Sequence, residues 1–454
     1  METNSRLLIL QTLVDIDKHE CFAKEAIHKT FQKYKHLSKQ EKAFITRMIE
    51  GVTEYRIRLD FIINQYSKIH VLKCKPVIRT ILRMGVYQMY YMDSVPNETA
   101  CDECVKLAKK KGYHSLSGFV NGILRNVNRN LDKIEYPNEE MDYTLFASIQ
   151  YSMPLWLVEK LLDWHGKDMT NQILKASVGE HLLSIRVNAN QTTKEIFQKQ
   201  LKDNGITVND GIYAKEALRV SDVQDIREMP GFMEGAFFVQ DESSMLAGKL
   251  ANPKEGDFVL DLCAAPGGKA THIATLLNGT GTVLARDLTK QKTERIEENA
   301  TRLGLTNIKV QVFDALKEDQ MLFGKADIVV ADLPCSGLGV MGKKNDIKYH
   351  VNEIGLSGLI ILQREILKNA ARYVKPNGIL IYSTCTINPD ENENNVEWFL
   401  NHFPFALEDI KEDLPEMLHP YIEQKGMLRL VQGELDCDGF FIAKVRQRES
   451  NIGH

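Results

Sequence analysis

The sequence predicts a multidomain chain made of an all-helical bundle, a small α+β module and a doubly wound α/β domain. Residues 5–130 place apolar side chains at helical spacing and contain almost no strand pattern. From Pro154 to about Gly235, short helices and strands are mixed. From Phe238 onward, short apolar strands alternate with helices, which is typical of a mostly parallel sheet covered on both faces. We therefore assign residues 1–135, 150–235 and 236–448 to the three domains.

Composition describes a globular chain of 454 residues, 43% hydrophobic and 26% charged. No run of 18 apolar residues occurs. The amino-terminal segment is interrupted by Asp15, Asp17 and Lys18 and lacks a small-residue cleavage site. We therefore expect no membrane association and a cytoplasmic location. The eight cysteines are then reduced thiols, free for structural or catalytic roles.

Charge is unevenly distributed along the chain. Residues 1–135 carry 23 lysines and arginines against 15 acidic residues, whereas the whole chain has a net charge of −4. A basic front end on an acidic chain indicates a polyanionic partner, although a solvated basic surface explains the charge alone equally well.

The helical part shows its periodicity in three stretches, and Pro76 and Pro96 stand near helix starts. The clearest periodic sets are Leu7, Leu10, Leu13 and Val14; Phe44, Met48 and Val52; and Ile78, Ile81, Leu82, Val86 and Met89. Cys101 and Cys104 also lie here. No second cysteine or histidine pair follows at zinc-finger spacing, so we predict a structural role for this pair and no metal site.

Strand and helix patterns define the rest of the chain. In the middle part, a short helix (LVEKLLDWHG) precedes a strand (LLSIRVN), and a second helix (TKEIFQKQLKDNG) follows. In the third part, the strand candidates are FVLDLCA, TVLARD, KVQVFD, DIVVADL, ILIYST and GFFIAKV. Helical stretches such as KQKTERIEENATRLGL separate several of them, so we predict that most of these strands pair in parallel.

A loop of small residues follows the first strand of the α/β domain. The loop is Cys263, Ala264, Ala265, Pro266, Gly267, Gly268 and Lys269. We expect the next helix to start at about Thr271. Small residues let a ligand approach the backbone closely, and ligands of such sheets lie at the carboxyl ends of the strands. Asp287 ends the second strand, where a carboxylate can accept hydrogen bonds from ribose hydroxyls, and Asp314 ends the third, where an adenine could meet it.

These features predict an adenosine cofactor without phosphates. The G-x-G-x-x-G pattern of dinucleotide sites is absent. A P-loop is also absent, because Ala270 follows Lys269 and Cys263 stands where the first glycine would be. S-adenosylmethionine carries a ribose and an adenine but no phosphate, so it fits better than NAD or ATP. A plain strand-to-helix turn remains the alternative for the loop taken alone.

Two cysteines follow the next two strands. The fourth strand runs into DLPCSG, with Asp332 and Cys335, and the fifth runs into STCT, with Cys385. Because the carboxyl ends of parallel strands meet at one edge, we predict that both thiols and Asp332 face the cofactor cleft. A lone cysteine at a strand end is more often a small buried hydrophobe. The combination of both thiols, the carboxylate and the loop indicates chemistry.

Paired thiols beside a carboxylate suit methylation of carbon 5 of cytosine. A thiolate that adds to carbon 6 makes carbon 5 a nucleophile toward the methyl group of the cofactor, which is covalent catalysis. Asp332 could hold or relay the proton that ring nitrogen 3 requires. Cys335 is a candidate to assist removal of the proton from carbon 5, and Lys269 could lower the pKa of a thiol or orient Asp332.

At these residues the chain resembles the RNA cytosine-C5 methyltransferases of the NOL/NOP/Sun family. AAPGGK, DLPCSG and STCT are motifs of that family in the family's order, and the likeness extends to VQDESSMLA, NPDENENNVEWFL and DGFFIAKV. The resemblance implies that Cys385 is the nucleophile and that Cys335 assists product release. DNA cytosine methyltransferases use a Pro-Cys thiol as nucleophile, so the second cysteine favours RNA. The implied contacts of S-adenosylmethionine are Cys263 to Lys269, Asp287, Asp314 and Asp332.

The front end is similar to that of one group in this family. SVPNETACDECVKLAK and GFVNGILRNVNRN resemble the NusB-like helical domain of bacterial 16S rRNA methyltransferases of the RsmB (Sun or Fmu) type. YSMPLWLVEKLL and SIRVN resemble the RNA-binding insert of that group. The resemblance covers nearly the whole chain. It implies a Rossmann-like methyltransferase domain whose substrate is naked or partly assembled 16S rRNA, with no stable protein partner, and we expect a monomer.

Two stretches depart from the family pattern. Residues 341–348 (MGKKNDIK) carry lysines where many members have arginines, and residues 434–437 (ELDC) replace a His-Gly-Thr-type run. Cys437 is thereby left without an assigned role. The candidate RNA contacts are Arg125, Arg129, Arg186 and Asn188. The side chains predicted to be structural are His114, His272, Trp156, Trp164 and Trp398.

Three other functions fit parts of the pattern. The first is a cytosine methyltransferase that acts on tRNA. The basic helical front end favours rRNA over tRNA, and it does so by family resemblance only. An RNA-binding assembly factor without catalysis is disfavoured by the intact Asp332, Cys335 and Cys385. A nicotinamide-dependent oxidoreductase is disfavoured by the missing phosphate fingerprint and by the paired thiols.

Overall fold

The computed structural model describes residues 4–179, 182–221, 223 and 225–448, and its first part is a bundle of helices around one apolar core. Ser38 and Glu41 form a capping box at the start of the third helix, and Pro76 begins the fifth. The helices are α1 Ser5–His19, α2 Ala23–Lys33, α3 Lys39–Glu54, α4 Arg56–Tyr66, α5 Pro76–Tyr91, α6 Asn97–Lys110 and α7 Ser117–Arg129. The predicted all-helical bundle is confirmed.

The Cys101 and Cys104 side chains pack in this helical core. Both are buried, and the Cys104 Sγ lies 3.5 Å from the carbonyl oxygen of Ile81, to which it donates a hydrogen bond. Within the described residues, no group of three or more histidine, cysteine, aspartate or glutamate side chains is arranged to hold a metal ion. Nor is any helix of this part of the chain, or of the described parts that follow, long and apolar enough to cross a membrane.

Two further helices follow the bundle, α8 Tyr143–Gln150 and α9 Leu155–Ala176. Gly166 interrupts α9 with φ 72° and ψ 173°, a backbone conformation that glycine adopts without a steric cost. The predicted short helix LVEKLLDWHG ends at this glycine. The structure corrects that prediction: the helix resumes and continues to Ala176, because Ile173 and Leu174 are buried on its inner face.

A small antiparallel sheet forms the middle module. Its strands are β1 Leu183–Val187, β2 Thr207–Asp210, β3 Ala217–Ser221 and β4 Phe237–Val239, in the order β2-β3-β1-β4. All neighbouring strands are antiparallel. Helix α10 Lys194–Asp203 buries Phe197 and Leu201 against the sheet. The predicted α+β character is confirmed.

The large sheet is parallel at its centre and antiparallel along one side. The parallel strands are β5 Phe258–Asp261, β6 Thr282–Asp287, β7 Ile308–Val312, β8 Ala326–Asp332 and β9 Val374–Thr384. The antiparallel strands are β10 Phe405–Leu407, β11 Ile422–Gln424, β12 Met427–Leu430 and β13 Phe440–Gln447. The accompanying helices are α11 Glu242–Ala251, α12 Gly268–Leu276, α13 Lys290–Arg302, α14 Glu353–Tyr373 and α15 Glu393–His402. All six predicted strands are present.

The strand order places the candidate site. The order is β11-β12-β13-β9-β8-β5-β6-β7, with β10 paired to β13. Going outward from β5, the chain first adds β6 and β7 on one side and later β8 and β9 on the other. Because the order reverses at β5, the loops after β5 and β8 diverge and leave a crevice at the carboxyl ends of these strands.

The chain divides into two compact units. Unit 1 comprises the chain up to Val178 together with Lys343–His350, and unit 2 comprises Gly179–Gly342 and the chain from Val351 onward. The boundaries of the three domains given above stay a prediction.

The segment Lys343–His350 packs inside unit 1, far along the sequence from its neighbours. The Tyr349 hydroxyl lies 2.8 Å from the carbonyl oxygen of Glu54 and 3.0 Å from that of Ser152. The Ala23 amide donates a hydrogen bond of 2.6 Å to the Asp346 carboxylate. Lys348 is buried, and burial lowers the pKa of its amine to about 8. Lys348 therefore does not lie at the surface, where an RNA contact would require it.

Candidate active site

The loop after β5 is held by its own backbone and by one carboxylate. Helix α12 begins at Gly268, three residues earlier than expected, and the residue before it, Gly267, has φ 105°, where a side chain would be strained. The Ala264 amide donates to the Arg286 carbonyl at 2.8 Å, and the Ala265 amide donates to the Asp287 Oδ2 at 3.0 Å. Contacts within the protein thus hold the loop in one conformation.

Asp287 is buried and already has several partners. Its Oδ1 accepts hydrogen bonds from the Leu288 amide at 2.7 Å and lies 3.0 Å from the Lys292 amine. Asp314 accepts a hydrogen bond from the Leu316 amide at 3.0 Å. Neither aspartate is among the side chains that line the cavity described next. Their contact with a cofactor stays a prediction.

A cavity of about 230 Å³ lies at the carboxyl ends of β5 and β8. Of the predicted site, it brings together the loop residues except Gly267, with Asp332 and Cys385. The VQDESSMLA and DGFFIAKV segments, for which no role in the site was predicted, supply most of the remaining lining. Its lining is Phe238, Val239, Gln240, Asp241, Ser243, Ser244, Asp261, Cys263, Ala264, Ala265, Pro266, Gly268, Lys269, Asp332, Val340, Cys385, Asp438 and Phe440.

Asp261 is the most buried of the three cavity aspartates, with Asp241 and Asp438, that were not predicted from the sequence. Only 1% of it is exposed, and neither carboxylate oxygen has a hydrogen-bond partner. Burial, followed by repulsion from Asp332, raises the pKa of this carboxyl to about 8. An unpartnered buried carboxyl facing a cavity fits a ligand that brings a cationic group. Its position as the first residue of the DLCAAPGGK segment was the available signal.

Asp332 and Lys269 form an ion pair beside the cavity. The Lys269 Nζ lies 2.7 Å from the Asp332 Oδ2, and the Ser383 hydroxyl donates to Oδ1 at 2.8 Å. Lys269 also donates to the Ser244 hydroxyl at 3.1 Å and stands over the Phe440 ring, 4.9 Å from its centroid. Lysine and serine thus orient the Asp332 carboxylate from two sides, one of the two roles that we predicted for Lys269.

The two cysteines meet at the ends of β8 and β9. Their Sγ atoms are 3.4 Å apart, and both residues are partly buried. The hydrogen bond to Cys385, followed by burial, raises the pKa of the Cys335 thiol well above its ordinary value. Cys335 therefore keeps its proton at neutral pH and can share it with the neighbouring sulfur. Of the two thiols, Cys385 alone lines the cavity.

Arg186 and Asn188, two of the predicted RNA contacts, are buried inside unit 2, so that prediction is wrong for them. The buried Arg186 guanidinium donates to the Gly268 carbonyl at 2.8 Å and to the Thr271 hydroxyl at 2.9 Å, and it also bonds the Gln240 side chain. The buried Asn188 amide donates at 2.9 Å to the carbonyl oxygens of Gly235 and Leu303. Arg186 thus supports the start of α12.

The remaining polar candidates are distributed differently. Arg125 and Arg129 are exposed on α7 and stay candidate RNA contacts. His272 is buried on α12 and lies 3.2 Å from the Glu216 carboxylate, which agrees with the predicted structural role. Cys437 is partly buried against the core of the large sheet.

Known protein families match the chain in three parts. Residues 3–129 match the NusB family, residues 153–227 match the ferredoxin-like domain of RsmF/B-like methyltransferases, and residues 249–446 match the 16S rRNA methyltransferase RsmB/F. A protein of Bacillus subtilis (strain 168) named "Probable ribosomal RNA small subunit methyltransferase B" is 32% identical over 98% of this chain and 99% of its own length. The chain belongs to the RsmB/F family. The resemblance to 16S rRNA methyltransferases of the RsmB type is thereby confirmed.

Solved structures agree with this RsmB/F assignment. The structure of PH0851 superposes with a TM-score of 0.82 and 26% identity, over 98% of this chain and 100% of its own. NSun6 from Pyrococcus horikoshii, solved with SFG, has a TM-score of 0.59 and 24% identity over 65% of this chain and 99% of its own, a likeness of fold. The α/β domain of this RsmB/F chain is a methyltransferase domain.

The residues of the cavity fit S-adenosylmethionine. The cofactor carries an ammonium and a sulfonium, and the cavity offers the Asp261 carboxyl with two unpartnered oxygens. The small residues Ala264, Ala265 and Gly268 line the same space and leave room for the cofactor to approach the backbone. These loop residues would hold the cofactor.

Proposed function

We propose that this RsmB/F-family chain methylates carbon 5 of a cytosine in 16S rRNA, with Cys385 as the nucleophile. The observation that carries the proposal is the pair of thiols 3.4 Å apart, one of them lining the cofactor cavity beside Asp332. The name of the Bacillus subtilis relative, a probable ribosomal RNA small subunit methyltransferase, supports small-subunit rRNA as the substrate. The cytosine, carbon 5 and the covalent step are the proposal.

Cys385 begins the reaction as a thiolate. Its sulfur bonds to carbon 6, the double bond between carbons 5 and 6 opens, and the electron pair becomes available at carbon 5. A proton from solvent passes through the Asp332 carboxyl, which Lys269 and Ser383 orient, to ring nitrogen 3 as charge develops there, and it returns by the same route when the product forms. When bound, S-adenosylmethionine supplies the methyl group. Because carbon 6 must be approached perpendicular to the ring, the cytosine has to leave any base stack.

Cys335 acts at the end of the reaction. Its hydrogen bond to Cys385 is the largest cause of its raised pKa, so it waits as a thiol. Once Cys385 is bonded to carbon 6, that cause is gone, and Cys335 can release its proton to solvent. The resulting thiolate takes the proton from carbon 5, the double bond re-forms, and the Cys385 thiolate leaves carbon 6.

The test combines product mapping with two variants. The protein receives labelled S-adenosylmethionine and unmodified 16S rRNA, with tRNA as the competing substrate, and 5-methylcytosine is mapped. We expect Cys385→Ala to abolish transfer and Cys335→Ala to accumulate a protein–RNA adduct on a denaturing gel. Cys74→Ala, a change of a partly buried thiol in unit 1, is the matched control and should behave as wild type.

The outcomes separate the parts of the proposal. Full turnover by Cys385→Ala would show that another group is the nucleophile. Label on tRNA and none on rRNA would assign the chain to the other substrate. The monomeric state and the cytoplasmic location stay predictions, and the former is read from light scattering of the purified protein.

A further inference from the structure

A buried glutamate lies between the two cysteine loops and takes no part in the chemistry above. Glu391 is fully buried, in the loop that follows Cys385. Its Oε1 accepts hydrogen bonds from the Ser336 hydroxyl at 2.5 Å and the Asn388 amide at 3.0 Å. Its Oε2 accepts from the Ser336 backbone amide and from the Gln363 amide, both at 2.9 Å. Four donors match the acceptor capacity of an ionised carboxylate.

This carboxylate is joined to both cysteines through their next neighbours in the chain. Ser336 directly follows Cys335, and Thr386 directly follows Cys385. The hydroxyls of Ser336 and Thr386 are 2.6 Å apart. Because the single hydroxyl proton of Ser336 is donated to Glu391, Thr386 is the donor in this bond. A continuous chain of hydrogen bonds therefore runs from one cysteine loop through the other to the carboxylate.

The preceding residues are fixed by the same cluster. Gln363 donates to the Pro334 carbonyl at 2.9 Å with the same amide that bonds Glu391, so both sides of Cys335 are held. Asn392, the residue after Glu391, accepts from the Thr384 hydroxyl at 2.5 Å and donates to the Thr386 carbonyl at 2.9 Å. Both sides of Cys385 are thereby held as well.

We propose that Glu391 is a positioning residue that sets the spacing between the Cys335 and Cys385 thiols and so governs release of the product. The inference rests on the proposed function, because only a two-thiol mechanism makes that spacing matter. Glu391 does not touch the thiols. Its negative charge is also among the causes, after the hydrogen bond to Cys385 and burial, that raise the pKa of Cys335. Because that charge opposes the loss of the Cys335 proton, the slower release expected without Glu391 comes from the changed spacing of the thiols alone.

The variant Glu391→Gln tests the inference, because it keeps the shape and removes two acceptor sites and the charge. We expect the protein–RNA adduct to decay at least about tenfold more slowly than in wild type, since small misplacements of reacting groups cost one to two orders of magnitude in rate. Affinity for S-adenosylmethionine, measured by calorimetry, should stay within about twofold because the loop after β5 is untouched. The adjacent exposed carboxylate variant Asp390→Asn is the matched control.

The adduct lifetime is the decisive measurement, because a variant that merely unfolds lowers the amount of adduct without changing its rate of decay. If Glu391→Gln does not bind the cofactor, Thr386→Val decides, since it leaves Glu391 in place and removes the bond between the two loops together with a longer one, 3.3 Å, from the Asn388 backbone amide. Slow adduct decay in either variant supports the inference. Decay as fast as in Asp390→Asn overturns it. Wild-type protein that forms no adduct and no 5-methylcytosine overturns the proposed function instead.

Discussion

Replacing Arg186 by methionine should weaken unit 2 and the cofactor loop together. The guanidinium is buried under the start of α12, where it donates to the Gly268 carbonyl and the Thr271 hydroxyl. Burial lowers the pKa of this arginine to about 9, so holding its charge in the interior has a cost that hydrogen bonds must offset. Methionine fills much of the volume of the side chain and donates nothing.

The expected magnitude follows from these contacts. Three hydrogen bonds from a charged donor, to Gly268, Thr271 and Gln240, contribute about 1.5 kcal/mol each. Relief of the buried charge returns part of that sum, which leaves a loss of about 3 kcal/mol in the free energy of unfolding. A loosened loop should also weaken S-adenosylmethionine binding about tenfold, which corresponds to about 1.4 kcal/mol.

Urea unfolding followed by circular dichroism measures the first effect, with hydrogen exchange of the α12 amides assigning the transition to unit 2. Calorimetry with S-adenosylmethionine measures the second. Arg125→Met is the control, because the Arg125 side chain is exposed and its ion pair with Asp102, at 3.7 Å, is exposed as well. Such a pair contributes little, so the free energy of unfolding should change by less than about 0.5 kcal/mol. If Arg186→Met unfolds at the wild-type urea concentration and loses only RNA affinity, Arg186 is an RNA contact and our reasoning is refuted.

Three further predictions concern other parts of the chain. Tyr349→Phe removes the hydroxyl that lies within hydrogen-bond distance of two buried carbonyl groups and should lower the free energy of unfolding of unit 1 by about 1 to 2 kcal/mol. An unchanged melting temperature would contradict this prediction. Asp261 has an ordinary pKa of 3.8, raised to about 8 in the folded protein, so the cofactor-free protein should lose stability as pH rises from about 4 to 8. Asp261→Asn should reduce the loss in free energy of unfolding by about 1 kcal/mol per pH unit in this range. Equal pH dependence of the variant and the wild type in urea unfolding would refute this prediction. In Gly235→Ala, the added carbon would lie 1.9 Å from the Arg302 carbonyl oxygen, and the residue has a positive φ. The free energy of unfolding should therefore fall by more than about 2 kcal/mol, and the yield of soluble protein should fall with it.

The large sheet and the meeting of the thiols were predictable because parallel strands impose their geometry on the sequence. A strand that is buried on both faces reads as a short apolar run, and all such runs end at one edge. Residues that follow β8 and β9, among them Asp332, Cys335 and Cys385, must therefore come close whatever connects the strands. The same rule placed the loop after β5 beside them.

Burial of polar side chains was not predictable in the same way. Arg186 alternates with Ile185 and Val187 along β1, a pattern typical of a strand whose polar face meets solvent. In the structure, the start of α12 covers that face, and only the tertiary arrangement reveals it. Glu391 lies in the polar run NPDENENN, which indicates an exposed loop. It is buried because it satisfies the backbone and side chains of two other loops.

The insertion of Lys343–His350 into unit 1 has a consequence for how the protein is made. On the ribosome, the helices up to α9 emerge first, at a time when Tyr349, which bonds Glu54 and Ser152, has not yet been synthesised. At ordinary elongation speeds the wait is roughly 10 to 30 s. During that interval nascent unit 1 lacks its contacts with Lys343–His350, and the surface that this segment will bury is accessible to chaperones. Unit 1 can be completed only after most of unit 2 has been translated.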